Sequence, residues 1–224
     1  MMAKMGMAMP MPPWTAADVW FTFAMWAVMM VGMMTPGASP VLLLFAGAKS
    51  KRGTGRVAVP VFMFGSGYLL VWGAFSACAA LAQWLLHQQA MLSPMMAASS
   101  PRVAGAILVG AGLYQFTRFK HACLSHCQSP LGFLMTHWHN GLTGAFRMGL
   151  EHGVYCLGCC WALMLVLLVV GLMNLAWMAG LFALIYVEKT WRHGLALAKV
   201  AGGALVAVGI AVAAHPALLE LVSR

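Results

Sequence analysis

From Val154 to Val187 the chain carries no Lys, Arg, Asp or Glu. A helix needs about 20 mostly apolar residues to cross a bilayer. This stretch therefore has room for two crossings, about Val154–Val170 and Leu175–Val187, with a tight turn at Gly171 and Asn174. Similar runs occur at about Trp14–Met34, Val57–Leu86, Val103–Phe116 and Leu195–Ala214. The expectation is an all-α, polytopic membrane bundle of about six transmembrane helices. Pro36 and Pro40, in "TPGASP", should break or kink the helix near the far face of the first span. The fourth span is expected to have an amphipathic start near Gly144.

Charge sets the orientation. The chain is 62% hydrophobic and only 8% charged, whereas soluble domains carry about 25% charged residues, so composition argues against a soluble fold and makes a polytopic membrane protein the default class. The net charge of +9 comes from clusters between the apolar runs, not from a patch suited to nucleic acid, and the partner it implies is the lipid bilayer. Lys49, Lys51, Arg52, Arg56, Arg118, Lys120, Arg147, Lys189, Arg192 and Lys199 fall in alternate loops, ten in all, against Lys4, Arg102 and Arg224 on the other side. Cytoplasmic loops hold the excess of Lys and Arg, which puts both termini outside. The expected organisation is a Met-rich polar tail over residues 1–13, a six-span domain over 14–218 with a cytoplasmic Cys/His loop at 117–147, and a short tail at 219–224. The first residues hold one lysine and no apolar core, so the first run is expected to be a retained span and not a cleaved signal.

The chemistry concentrates in the fourth span. Helical residues three and four apart share a face, and His152, Cys156 and Cys160 have that spacing, with Cys159 beside them and Met148 and Met164 extending the row. An imidazole, thiols and a thioether on one face suit a soft ion, Cu(I) or zinc, and not magnesium or calcium. The preceding loop adds Cys123, His126 and Cys127 in "KHACLSHCQ", then His137 and His139 in "THWHNG". A loop of that length without regular structure is often functional. His137 and His139 are two apart, so both could bind only from an extended segment. A second sulfur row, Met25, Met29 and Met33, runs along the first span, with Met30 and Met34 beside it.

Each group also has a plainer reading. Cysteine and methionine fill gaps in apolar cores, which suits Cys78 and the Met25–Met33 row. Asp18 and Glu188 sit at span edges, where acids are functional candidates. Asp18 could equally favour its helix N-terminus, and Glu188 could simply pair with Lys189.

At these residues the sequence resembles a known family. "GLEHGVYCLGCCWALM", "GLMNLAWM" followed by "EK", the early "MMTPGASPVLLLFA" and "CLSHC" are similar to the bacterial family described as predicted metal-binding integral membrane proteins. The resemblance runs from about Trp14 to Lys189. It implies a multi-pass protein of the bacterial inner membrane, with His152, Cys156, Cys159, Cys160, Cys123, Cys127, Asn174 and Glu188 at the motif positions.

The expected function is to hold Cu(I), or another soft metal with zinc possible, for copper handling or as an accessory subunit or assembly factor of a membrane enzyme. Two alternatives stand beside it. One is a metal-free structural subunit of a larger membrane complex, its small residues in "AGGALVAVG" permitting close helix contact. The other is a thiol–disulfide or copper-dependent oxidoreductase, since "CLGC" has the spacing that lowers a thiol's pKa.

Overall fold

The computed structural model describes residues 14–51, 57–88, 100–171 and 174–215. The methionine-rich tail and residues 219–224 lie outside the described residues. Among the described residues the chain is all helical, without a strand: α1 (Ala16–Lys51), α2 (Ala58–Gln88), α3 (Pro101–Tyr114), α4 (Arg118–Gln128), α5 (Pro130–Thr136), α6 (Gly141–Val170), α7 (Leu175–Thr190) and α8 (Gly194–Ala214). Four of these, α1, α2, α6 and α8, are long and apolar enough to cross a membrane.

Three local expectations change. First, of the break or kink expected at Pro36 and Pro40, the break does not occur: α1 continues through both prolines. Proline 40 has no N–H to give the Pro36 carbonyl, and the Ser39 hydroxyl donates to that oxygen at 2.8 Å. One turn earlier the Thr35 hydroxyl donates to Val31 O at 2.6 Å. The Ser39 hydroxyl thus re-satisfies the carbonyl that Pro40 leaves without its amide donor. Second, the Cys/His loop is not irregular. Thr117 caps α4 by accepting from Lys120 N, and Ser129–Pro130 stops α4 and starts α5. Third, α6 is one helix of 30 residues, about 45 Å long. His152, which falls just before the expected Val154–Val170 span, therefore lies with the thiols in the interior of α6.

α6 is the central element. Its apolar window is 72% buried inside the protein, against 33%, 28% and 22% for α1, α2 and α8. It packs along α2, α3, α4 and α7. The approach of α2 depends on paired glycines: an added Cβ at Gly149 would strike Phe64 O, and one at Gly67 would strike Phe146 O. α3 and α8 interlock in the same way, with Gly112 against Gly202 O and Gly202 against Gly112 O. Small residues allow such backbone contact. Gly171, with φ of +90°, ends α6 in a conformation that favours glycine.

Gly149→Ala is expected to push α2 off α6 at a cost of about 1–3 kcal/mol, the usual range for overpacking. A melting curve of the purified variant checks this. A melting point equal to that of the unmodified protein would mean the helices are not this close.

Candidate metal centre

The site forms where α1, α2, α4, α6 and α7 meet. α6 supplies Cys156, Cys159 and Cys160, all buried. Both Cys159 and Cys160 donate to Cys156 O, at 3.0 and 2.9 Å, so the helix backbone holds the thiols on its inner side. α4 brings Cys127, whose Sγ lies 3.9 Å from Cys159 Sγ. α1 brings Met34, whose Sδ lies 3.9 Å from Cys160 Sγ. Two sulfurs each about 2.3 Å from a metal can be at most about 4.6 Å apart, so either pair can grip one ion.

Cys156 is engaged differently. The Tyr68 hydroxyl of α2 lies 3.1 Å from its Sγ and 3.0 Å from Met34 O. Lys189 Nζ donates to Cys156 Sγ at 3.0 Å and to Met34 Sδ at 3.7 Å. Among the described residues, no three His, Cys, Asp or Glu side chains are already arranged around one ion. The closed four-ligand set that zinc prefers is therefore not formed, whereas the sulfur pairs suit a soft ion that accepts fewer ligands.

His152 is one helical turn from Cys156. Its ring sits among Tyr68, Phe133 and Phe64, with centroids at 5.8, 5.1 and 6.2 Å. Its Nδ1 is buried and has no hydrogen-bond partner among the described residues. Buried polar atoms normally have partners, so this lone nitrogen beside the thiols fits a ligand that arrives later.

The other candidates are distributed around this centre. Cys123, one turn before Cys127 on α4, packs on α6 at Gly158, where an added Cβ would lie 2.7 Å from its Sγ. Burial holds its thiol above the usual range, with charge at Cys159 a smaller cause. His126 stacks flat on Tyr155 at 4.3 Å, its Nδ1 2.8 Å from Ala122 O. His137 stacks on Phe133 at 4.8 Å and is 6.1 Å from His126, ring centre to ring centre. His139 lies apart, 3.8 Å from Glu151. Met148 is buried in a separate apolar cluster with Phe45, Phe64 and Phe133. Met164 belongs to the main core with the thiols, and Met33 does too, while Met25 and Met29 pack at its edge. Met29, Met33 and Met178 line an apolar cavity of about 290 Å³.

Three of the polar candidates have structural partners. Asp18 forms a capping box with Thr15: its Oδ2 accepts from Thr15 N and Oγ1, both at 2.7 Å, and Thr15 Oγ1 accepts from Asp18 N at 3.4 Å. Asn174 starts α7 by accepting from Ala176 N and Trp177 N at 3.1 and 3.2 Å. Glu188 does not pair with its neighbour Lys189. Its Oε2 meets Lys120 Nζ of α4 at 2.7 Å, with both side chains buried.

Lys189, Tyr68 and Lys120 were not among the candidates from sequence. For Lys189 a signal existed, since with Glu188 it ends the uncharged stretch that begins at His152. Tyr68 and Lys120 carried none. A family model described as "PpoB2: Copper chaperone" matches residues 23–212. No curated protein and no solved structure matches the chain.

Proposed function

The chain belongs to the PpoB2 copper chaperone family, and from that premise we propose that it carries Cu(I) as cargo on a sulfur core inside a membrane-spanning helical bundle. One observation carries this reading. Five sulfurs, from Met34, Cys127, Cys156, Cys159 and Cys160, gather from three helices in one buried place, with two sulfur pairs 3.9 Å apart. Thiolates and thioethers select Cu(I). Cys127 with Cys159, and Cys160 with Met34, are the natural grips, with His152 Nδ1 as a third donor. Cys123, His126 and His137 stand on the side from which α4 and α5 cover the site.

The membrane part of the proposal rests on the four long apolar helices and on the outward-facing Val28, Leu43, Phe62, Val154, Val200 and Ile210, which need an apolar solvent. With α3 and α7 completing six crossings, the basic loops put both termini outside and α4 and α5 at the cytoplasmic face. The setting is the bacterial inner membrane, and the recipient of the copper is a larger membrane enzyme or its assembly machinery.

The test is anaerobic titration of the full chain, in detergent, with Cu(I) against a competing chelator. About one tightly held equivalent is expected. Its affinity should also depend on pH. Hydrogen bonds to Cys156 and Cys159, together with burial, hold the Cys127 thiol well above its usual range. It therefore starts protonated, and copper must expel the proton. Affinity should rise about tenfold per pH unit for each proton released. A flat profile between about pH 6 and 8 would mean that no protonated thiol becomes a ligand, and the absence of a tight equivalent would end the copper reading.

A further inference from the structure

Lys189 sits where copper would have to go. It is 6% exposed, and its stem crosses α1 at Gly37, where an added Cβ would lie 3.4 Å from Lys189 Cδ. The one acid beside it in sequence, Glu188, is committed to Lys120 at 2.7 Å. Among the described residues the Lys189 ammonium makes no ion pair with a carboxylate. The contacts it does make are with Cys156 Sγ at 3.0 Å and Met34 Sδ at 3.7 Å. Burying a cation is costly unless it is paired. An ammonium seated between two sulfurs, within a sulfur-lined core, marks that space as one shaped for a single positive charge.

We propose that Lys189 is an internal counter-cation that holds the sulfur core in the empty protein and exchanges with Cu(I) on loading. This rests on the copper reading above and adds to it how the site is gated and why a monovalent ion is preferred. On loading, the N–H···S hydrogen bond from Lys189 to Cys156 Sγ breaks, a Cu–S bond forms in its place, and each ligand thiol that is still protonated releases its proton to solvent. Copper stays Cu(I), no electron moves, and the ammonium keeps its proton. Glu188 Oε1, buried and without a hydrogen-bond partner among the described residues, offers the displaced ammonium an acceptor. A divalent ion would place a second positive charge beside the same lysine, so the device disfavours Zn(II) before geometry is considered. Lys189 acts here as a positioning residue and is not itself a ligand.

The experiment is anaerobic Cu(I) competition titration of the full chain, with release to excess chelator followed in time. Lys189→Met and Lys189→Gln, which remove the charge, are expected to bind Cu(I) at least about tenfold tighter and to release it correspondingly slower. Lys189→Arg keeps the charge and is expected to bind no tighter than the unmodified protein. Equal or weaker binding by both uncharged variants, while the unmodified protein binds one equivalent, overturns the lysine exchange and leaves the copper reading standing. Failure of the unmodified protein to bind at all overturns both. If the uncharged variants do not fold, the Lys189 side-chain NMR resonance in unmodified protein decides the matter. It should move when Ag(I) or Cu(I) saturates the site, and an unmoved resonance at saturation overturns the exchange.

Discussion

Cys127→Ser combined with Cys159→Ser is expected to lower Cu(I) affinity by at least about 100-fold. The two thiols come from different helices, so their 3.9 Å approach is a product of tertiary packing and has no other evident purpose. Losing even an outer partner of a metal ligand costs about 10–100-fold in affinity, and losing two ligands should cost more. Serine keeps the size and the hydrogen-bonding capacity of each side chain, so the core should remain folded. Competition titration reads the affinity, and a melting curve of the empty variant reads the fold. Retained affinity in a folded double variant would move the copper away from the α4–α6 contact, to Cys160 and Met34 or elsewhere. Cys78→Ser is the matched control, because Cys78 is exposed and away from the cluster.

The second large effect concerns stability. Lys120→Met is expected to destabilise the protein by about 3–5 kcal/mol, because it strands Glu188 as an unpaired buried charge. For a chain of this size that corresponds to a fall in melting temperature of roughly 6–20 °C. The pair joins α4 to α7, and Gln128 reinforces the joint by donating from Nε2 to Glu188 O at 2.7 Å. α4 carries Cys127 and α7 carries Lys189, so this ion pair sets both of them against α6. Replacing both partners together, Lys120→Met with Glu188→Leu, should recover most of the loss, since an apolar pair of similar volume is often as stable as a buried ion pair. A single variant that melts within about 2 °C of the unmodified protein would contradict the burial of the pair.

These two joints show what can be read from sequence and what cannot. The row His152, Cys156, Cys160 is visible because helical spacing puts those side chains together before any tertiary contact forms. The same rule, applied to α1, selects the row Met25, Met29 and Met33, yet Met30 and Met34 are the fully buried thioethers. Apolar side chains surround a membrane helix, so hydropathy alone gives its phase poorly, and the face in use is set by the neighbours. The arrival of Cys127 at Cys159 depends on the short α4 lying along α6 at Gly158, a contact made possible by a missing side chain. Glu188 and Lys189 read as an ion pair because they are adjacent. Adjacent residues on a helix do not face each other, so one turns to Lys120 and the other to the sulfurs. Four of the expected crossings correspond to helices of sufficient length, while the long Cys/His loop contains two short helices hidden by its mixed polarity.

The proline-bearing stretch of α1 has a consequence of its own. Pro36 and Pro40 bracket Gly37, the residue over which the Lys189 stem passes, and Met34 lies just before them. A helix lacking amide donors at two positions has fewer rungs to break when it flexes. The wall of the sulfur chamber formed by α1 is thus its compliant side, while α6 opposite, with an unbroken ladder, is the rigid one. An ion entering or leaving would bend the hinge side and leave the thiol-bearing side in place.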